Sequence, residues 1–164
     1  MENPLIRTEI RKGDIHLRGE ASPPGALKRI RKALRTFHKM EVMAAAVYRF
    51  QINRRHPDLR PHLIAAMANE MTHIQDFQIT LSEYGFRPSL LRVPYWIVGW
   101  CFGTFSRLLG RKWILKTGIW VETKAVSHYS ELLEGAEWDA ETRCVIQKDL
   151  GDEEGHIRMW RSLL

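Results

Sequence analysis

The sequence predicts an all-α fold: four long helices in a bundle, with an additional apolar helical segment between the second and third. Three observations carry this. Apolar residues recur at helical spacing over long stretches. Period-two alternation with clustered β-branched residues is missing. Strong turn signals divide the chain at intervals of helix length. Residues 1–23, closed by "ASPPG", show little periodicity and read as a basic, loosely ordered N-terminal arm, and 24–164 read as one bundle domain. The first helix is expected from about Ala26 to Arg55, and "HPDLRP" makes the turn with Asp58 as N-cap. The second covers about Pro61 to Tyr84 and ends at "GFRPS". An apolar, aromatic segment fills Leu90 to Leu109. A further helix runs from about Lys112 to Leu133 and, after "EGAEWD", a last one from about Asp139 to the C-terminus.

Composition narrows the class. A chain of 164 residues, 45% apolar and 27% charged, is long enough for one well-buried core. Its two cysteines, Cys101 and Cys144, form no CxxC, which suits a reducing compartment and excludes a four-thiolate iron site. Residues 1–60 carry 14 Lys and Arg against 6 Asp and Glu, a balance of +8, which leaves −2 for the rest of a chain whose total is +6. Such a basic face is either solvated or meets an anionic membrane surface; nucleic acid is not expected, because no nucleic-acid-binding signature accompanies the charge. "MENPLIRTEIRKGD" has no apolar signal-peptide core, so export is not expected.

The segment "VPYWIVGWCFGTF", Val93 to Phe105, has no charge over 13 residues, where a membrane span needs about 20. Basic residues flank it, and Tyr95, Trp96, Trp100 and Phe102 make it aromatic. It reads as a membrane-touching, substrate-access surface, with a buried core helix as the other reading. Gly99 and Gly103 form a GxxxG that permits close helix packing.

The chemistry lies in a duplicated pattern. "NEMTH" sets Glu70 and His73 one turn apart on a helix, and "DEEGH" repeats this with Glu153 and His156. A lone ExxH is usually a solvated pair. Here each ExxH helix follows a helix with a central carboxylate, Glu41 and then Glu122, and seven residues beyond each stands a tyrosine, Tyr48 and Tyr129. The chain therefore reads E-x6-Y-x21-E-xx-H, then the same pattern with 23 residues in place of 21. One Glu from each of two helices and Glu-xx-His from each of two others is the donor set of ferritin-like di-metal carboxylate bundles. Burying four carboxylates without cations would be prohibitive, and two divalent ions neutralise them. Oxygen-rich ligation with one imidazole per metal suits iron, then manganese. Glu154 competes with Glu153 for the last position, but only Glu153 is three residues from His156. Asn69 and Asp152 each precede an ExxH glutamate, so pseudo-symmetry aims each at the imidazole of the other half.

On "EVMAAAVYRFQ", "NEMTHIQDF", "FRPSLLRVPYWIVGWCFGTFSRLLG", "VETKAVSHY" and the closing ExxH, the chain resembles the demethoxyubiquinone hydroxylase family over roughly residues 30–160. The resemblance implies a di-iron monooxygenase that hydroxylates a polyprenyl benzoquinol in ubiquinone biosynthesis with dioxygen and an external reductant. It implies peripheral attachment to the cytoplasmic side of an inner membrane, and a quinone-biosynthesis complex and homo-oligomer as further partners. It makes Glu41, Glu70, His73, Glu122, Glu153 and His156 the iron ligands and puts His128 and Tyr129 at the substrate pocket. Two features depart from the family pattern: "FHKME" stands where DHAGE is usual, setting Met40 beside the first ligand, and the chain ends soon after His156. Two other functions share these residues. A ferroxidase or peroxide-scavenging protein needs the same ligands, and a non-catalytic lipid-binding assembly protein needs only the apolar surface.

Overall fold

A computed structural model describes residues 10–20 and 22–164. After a short 3₁₀ turn at Lys12–Asp14, five helices follow: α1 (Pro24–Gln51), α2 (Arg60–Glu83), α3 (Arg92–Leu109), α4 (Arg111–Glu134) and α5 (Ala140–Leu163). Each bundle helix owes its place to one stripe at intervals of three and four. On α1 the buried stripe runs Ile30, Leu34, Phe37, Glu41, Ala44, Tyr48, Gln51; on α2 it runs Leu63, Ala66, Glu70, His73, Phe77, Leu81. α4 presents Leu115, Gly118, Glu122, Ala125, Tyr129, and α5 presents Ile146, Asp149, Glu153, His156, Trp160. The carboxylates and imidazoles therefore occupy core positions, flanked along each helix by apolar side chains.

α1 packs along α2, and α4 along α5, as two hairpins that close on each other. α3 lies outside the four, against α1 and the start of α4. Its contact with α1 is the GxxxG: a Cβ at Gly99 would overlap the Met43 carbonyl, and one at Gly103 the Val47 carbonyl. The other face of α3 is open, with Trp96, Ile97, Trp100, Phe102, Phe105 and Leu108 all exposed. No described helix is long and apolar enough to cross a membrane.

Two local expectations change. The N-cap of α2 is Leu59, which offers no side-chain cap; Asp58 is drawn instead to Arg111, 3.1 Å away at the start of α4. Asp139 does cap α5, accepting from the Thr142 N–H at 2.9 Å. Within the segment read as a loose arm, residues 1–9 and 21 lie outside those described, and the part just before α1 is tied down. Arg18 is fixed by Glu83 at 2.7 Å, Asp139 at 2.5 Å and Glu141 at 2.8 Å, so a single guanidinium joins the end of α2 to the start of α5. The spacing of those acids, on two distant helices, carries no signal in the sequence.

Candidate metal centre

Midway along the bundle the four stripes bring their polar members together between two apolar layers. Phe37, Phe77, Tyr129 and Trp138 belong to one layer, and Tyr48, Leu63, Leu115 and Trp160 to the other. Two groups of four donors each result, and a smaller one, His73 with Asp149 and Asp152, lies beside them. Glu41, Glu70, His73 and Glu153 form one; Glu70, Glu122, Glu153 and His156 form the other, the donor atoms of each lying within 4.8 Å of one another. Glu70 and Glu153 belong to both, so the two ExxH carboxylates lie between the groups and Glu41 and Glu122 stand at their ends. Glu154 is exposed and faces Arg158, which leaves Glu153 as the inward residue of "DEEGH".

The donors fit a pair of cations. Both oxygens of Glu70 and of Glu153, one oxygen of Glu122 and Nδ1 of both His73 and His156 are buried without a hydrogen-bond partner. Orphaned acceptors at this density are costly unless positive charge lies between them. In their absence protons serve. Burial, then the charges of Glu153 and Glu70, hold the Glu41 carboxyl well above the ordinary range. Burial and Glu153 push Glu122 up to about 8. Burial alone would keep both imidazoles neutral, but Glu153 and Glu70 around His73, and Glu122 and Glu153 around His156, raise each to about 12.

A surrounding set of side chains orients these groups. Tyr129 on α4 donates to Glu41 Oε1 at 2.6 Å, and Tyr48 on α1 donates to Glu122 Oε1, so each tyrosine holds the carboxylate of the opposite hairpin. Trp160 Nε1 in turn donates to the Tyr48 hydroxyl at 3.1 Å. Asp152 lies 3.3 Å from His73 Nε2, and the Asn69 amide 3.1 Å from His156 Nε2. With Nδ1 as the ligand, Nε2 carries the hydrogen; the Asn69 atom that faces it is Nδ2, so the amide must be turned over to present Oδ1 as acceptor.

The residues expected at the substrate pocket separate. A cavity of about 470 Å³ opens between α3 and α4 and reaches the centre, for Glu41 forms part of its wall beside Met40, Ala44, Val121 and Ala125. His128, Tyr95 and Trp120 line its more open side. Tyr129 does not line it: fully buried, its ring lies tilted against Phe37 and its hydroxyl supports Glu41. Trp96, Trp100 and Phe102 do not line it either. Trp96 and Trp100 set their edges on Phe50, and Phe102 stacks on Trp120. One-turn spacing puts Trp96 and Trp100 together on a different side of α3 from Tyr95, whereas Phe102, two turns on from Tyr95, shares its side and stacks on Trp120 at the cavity wall.

Asp149 escapes the motif. It is fully buried on α5, 3.7 Å from His73 Nε2, with Lys148 Nζ at 3.2 Å. A signal existed: it stands four residues before Glu153, on the same helical face.

Comparison with known proteins agrees with this architecture. The profile of the family described as "Ubiquinone biosynthesis protein COQ7" matches residues 28–162. A "3-demethoxyubiquinol 3-hydroxylase" of Polaromonas sp. (strain JS666 / ATCC BAA-500) is 34% identical over 145 residues, 85% of this chain and 65% of that protein. Its counterpart in Polaromonas naphthalenivorans (strain CJ2) is 35% identical over 130 residues, 75% of this chain and 60% of that protein. One from Chromobacterium violaceum is 32% identical over 136 residues, 79% of this chain and 64% of that protein. The chain thus spans somewhat under two thirds of the length of these relatives. With the matched segment covering all four bundle helices and both ExxH motifs, the chain belongs to the COQ7 family of ubiquinone biosynthesis proteins.

Proposed function

We propose that this protein is a di-iron monooxygenase that hydroxylates a demethoxyubiquinol-type polyprenyl benzoquinol. One observation carries the reading: an apolar cavity abuts the buried Glu/His cluster, with Glu41 common to both. A ferroxidase needs the donors but has no use for an apolar chamber, and a lipid carrier needs the chamber but not the donors. The relatives, each named 3-demethoxyubiquinol 3-hydroxylase, support the same substrate class.

Glu41, His73, Glu122 and His156, with Glu70 and Glu153 shared, would hold the irons. Iron supplies the redox chemistry with dioxygen. Overall, one oxygen atom enters the quinol ring and the other leaves as water, with two electrons from an external reductant and two protons from solvent. The chain's own side chains do the rest. Met40, Ala44, Val121 and Ala125 exclude water beside Glu41, and Tyr95 and His128 stand where a quinol oxygen would pass. Lys39 lies over the Tyr95 ring at 4.9 Å, adding a cation near that side of the cavity. The open apolar face of α3 supports a peripheral seat on a membrane, where the isoprenoid tail resides. The cytoplasmic side of an inner membrane, and assembly with copies of itself or other quinone-biosynthesis proteins, are part of the same reading.

The test is aerobic turnover of iron-loaded protein with demethoxyubiquinol in lipid vesicles and a reductant, following the product by mass. A product heavier by one oxygen, labelled from ¹⁸O₂, is expected. Two irons per chain with iron or peroxide turnover but no hydroxylated quinol would select the scavenging function instead.

A further inference from the structure

We infer that the two metal positions are unequal, that the His73 position fills first, and that Asp149 makes it so. This rests on the di-metal reading above and adds an order to it.

The donor sets themselves do not rank the positions. Each has one imidazole, one end carboxylate and a share in Glu70 and Glu153. The difference lies behind the imidazoles. Behind His156 Nε2 is a neutral amide, Asn69, at 3.1 Å. Behind His73 Nε2 are two carboxylates, Asp152 at 3.3 Å and Asp149 at 3.7 Å. The half-to-half match explains why only one half has the second acid: Asp149 stands four residues before Glu153, and four before Glu70 stands Ala66.

Asp149 has no evident structural purpose. It is fully buried, and its Oδ2 has no hydrogen-bond partner. Its Oδ1 meets Lys148, whose side chain is more than half exposed. A buried carboxylate so placed is costly unless positive charge lies on its other side, and that side holds the His73 imidazole with Glu41, Glu70 and Glu153 beyond it. A carboxylate behind a ligating imidazole fixes its ring and makes it a better donor. Two of them do so more strongly than an amide.

The tyrosines tilt the balance the same way. Tyr129 and Tyr48 each donate to an end carboxylate, but Tyr48 also accepts from Trp160 Nε1. A hydroxyl that accepts a hydrogen bond donates a stronger one. Glu122 is therefore the weaker donor of the two end carboxylates. Asp149 is a positioning residue, acting on the metal through His73.

The order is testable by adding Mn²⁺ to metal-free full-length protein and following binding by calorimetry and electron paramagnetic resonance. Two resolved steps are expected, with isolated Mn²⁺ at one equivalent and spin-coupled pairs only at two. The first step should persist in His156→Ala and vanish in His73→Ala. Asp149→Asn should weaken the first step about tenfold or more, so that the steps merge. Asn69→Asp should strengthen the second step and narrow the gap from the other side, independently of how well Asp149→Asn folds. A single step for both ions in the unaltered protein, or two steps whose separation neither variant moves, would overturn the order while leaving the metal centre intact. Uptake of fewer than two ions would overturn the centre itself.

Discussion

Tyr129 on α4 donates a 2.6 Å hydrogen bond to Glu41 on α1, and Tyr48 on α1 returns the same bond to Glu122 on α4. The exchange ties the hairpins together at the metal plane, and both tyrosines are fully buried. Tyr129→Phe removes one bond without opening a cavity, leaving a buried carboxylate oxygen unpaired at a cost of about 1–3 kcal/mol. Metal-free Tyr129→Phe is therefore expected to melt several degrees lower, and the loaded form to lose metal to a chelator about tenfold faster. Tyr48→Phe should be the more damaging variant, since it also orphans the Trp160 N–H. Equal melting temperatures for both variants and the parent would show that the tyrosines only fill space.

The shared position of Glu70 and Glu153 leads to a stoichiometric prediction. Removing either as Ala takes a ligand from both groups, so each variant should bind fewer than one ion per chain. Glu41→Ala and Glu122→Ala each affect one group and should retain about one. Elemental analysis after gel filtration distinguishes these cases; one ion retained in Glu70→Ala would rule out the shared arrangement.

The pH dependence should reverse sign when metal binds. Glu122, with an ordinary value of 4.5, sits at about 8 in the metal-free fold. Between those values the folded state holds a proton that the unfolded state has lost, so stability falls as pH rises from about 5 to 8. Glu41 is shifted in the same direction by burial and by its carboxylate neighbours. Asp139 is held down at about 2, where burial is outweighed by its bonds to Thr142 and Tyr84 and by Arg18; its effect is lost only as pH falls through the strongly acid range. Loaded protein behaves oppositely. Metal displaces protons from Glu41, Glu122 and both imidazoles, so affinity rises about tenfold per pH unit for each proton released. Melting curves at pH 5.5 and 8 should slope down for apoprotein and up for iron-loaded protein.

The bundle and its six inward donors were legible because they obey one period. Glu70 and His73 stand at core positions of a helix, and the repeated pattern supplied the partners that a lone pair lacks. Asn69 and Asp152 were legible through the same symmetry. Asp149 was not, because it breaks the symmetry: its counterpart is Ala66. Tyr129, expected beside the pocket with His128, is turned away from the cavity for a related reason. Adjacent helix positions differ by about 100°, so His128 reaches the cavity while Tyr129 points into the core. The hold of Arg18 on three acids depends on how two helix ends meet, which no local pattern encodes.

The seat of α3 can be tested separately from the metals. Gly99 and Gly103 bring α3 so close to α1 that a methyl at either would overlap a carbonyl of Met43 or Val47. Helix backbone cannot yield as a side-chain end can, so α3 must move outward. Gly99→Ala should cost about 1–3 kcal/mol. Because Tyr95 and Val98 line the cavity, lifting α3 should widen it on that side while Glu70, His73, Glu153 and His156 stay in place. The expected phenotype is two irons per chain, a lower melting temperature and a raised KM for the quinol. Loss of metal in Gly99→Ala would mean instead that α3 helps to hold the centre, and that the four bundle helices do not suffice alone.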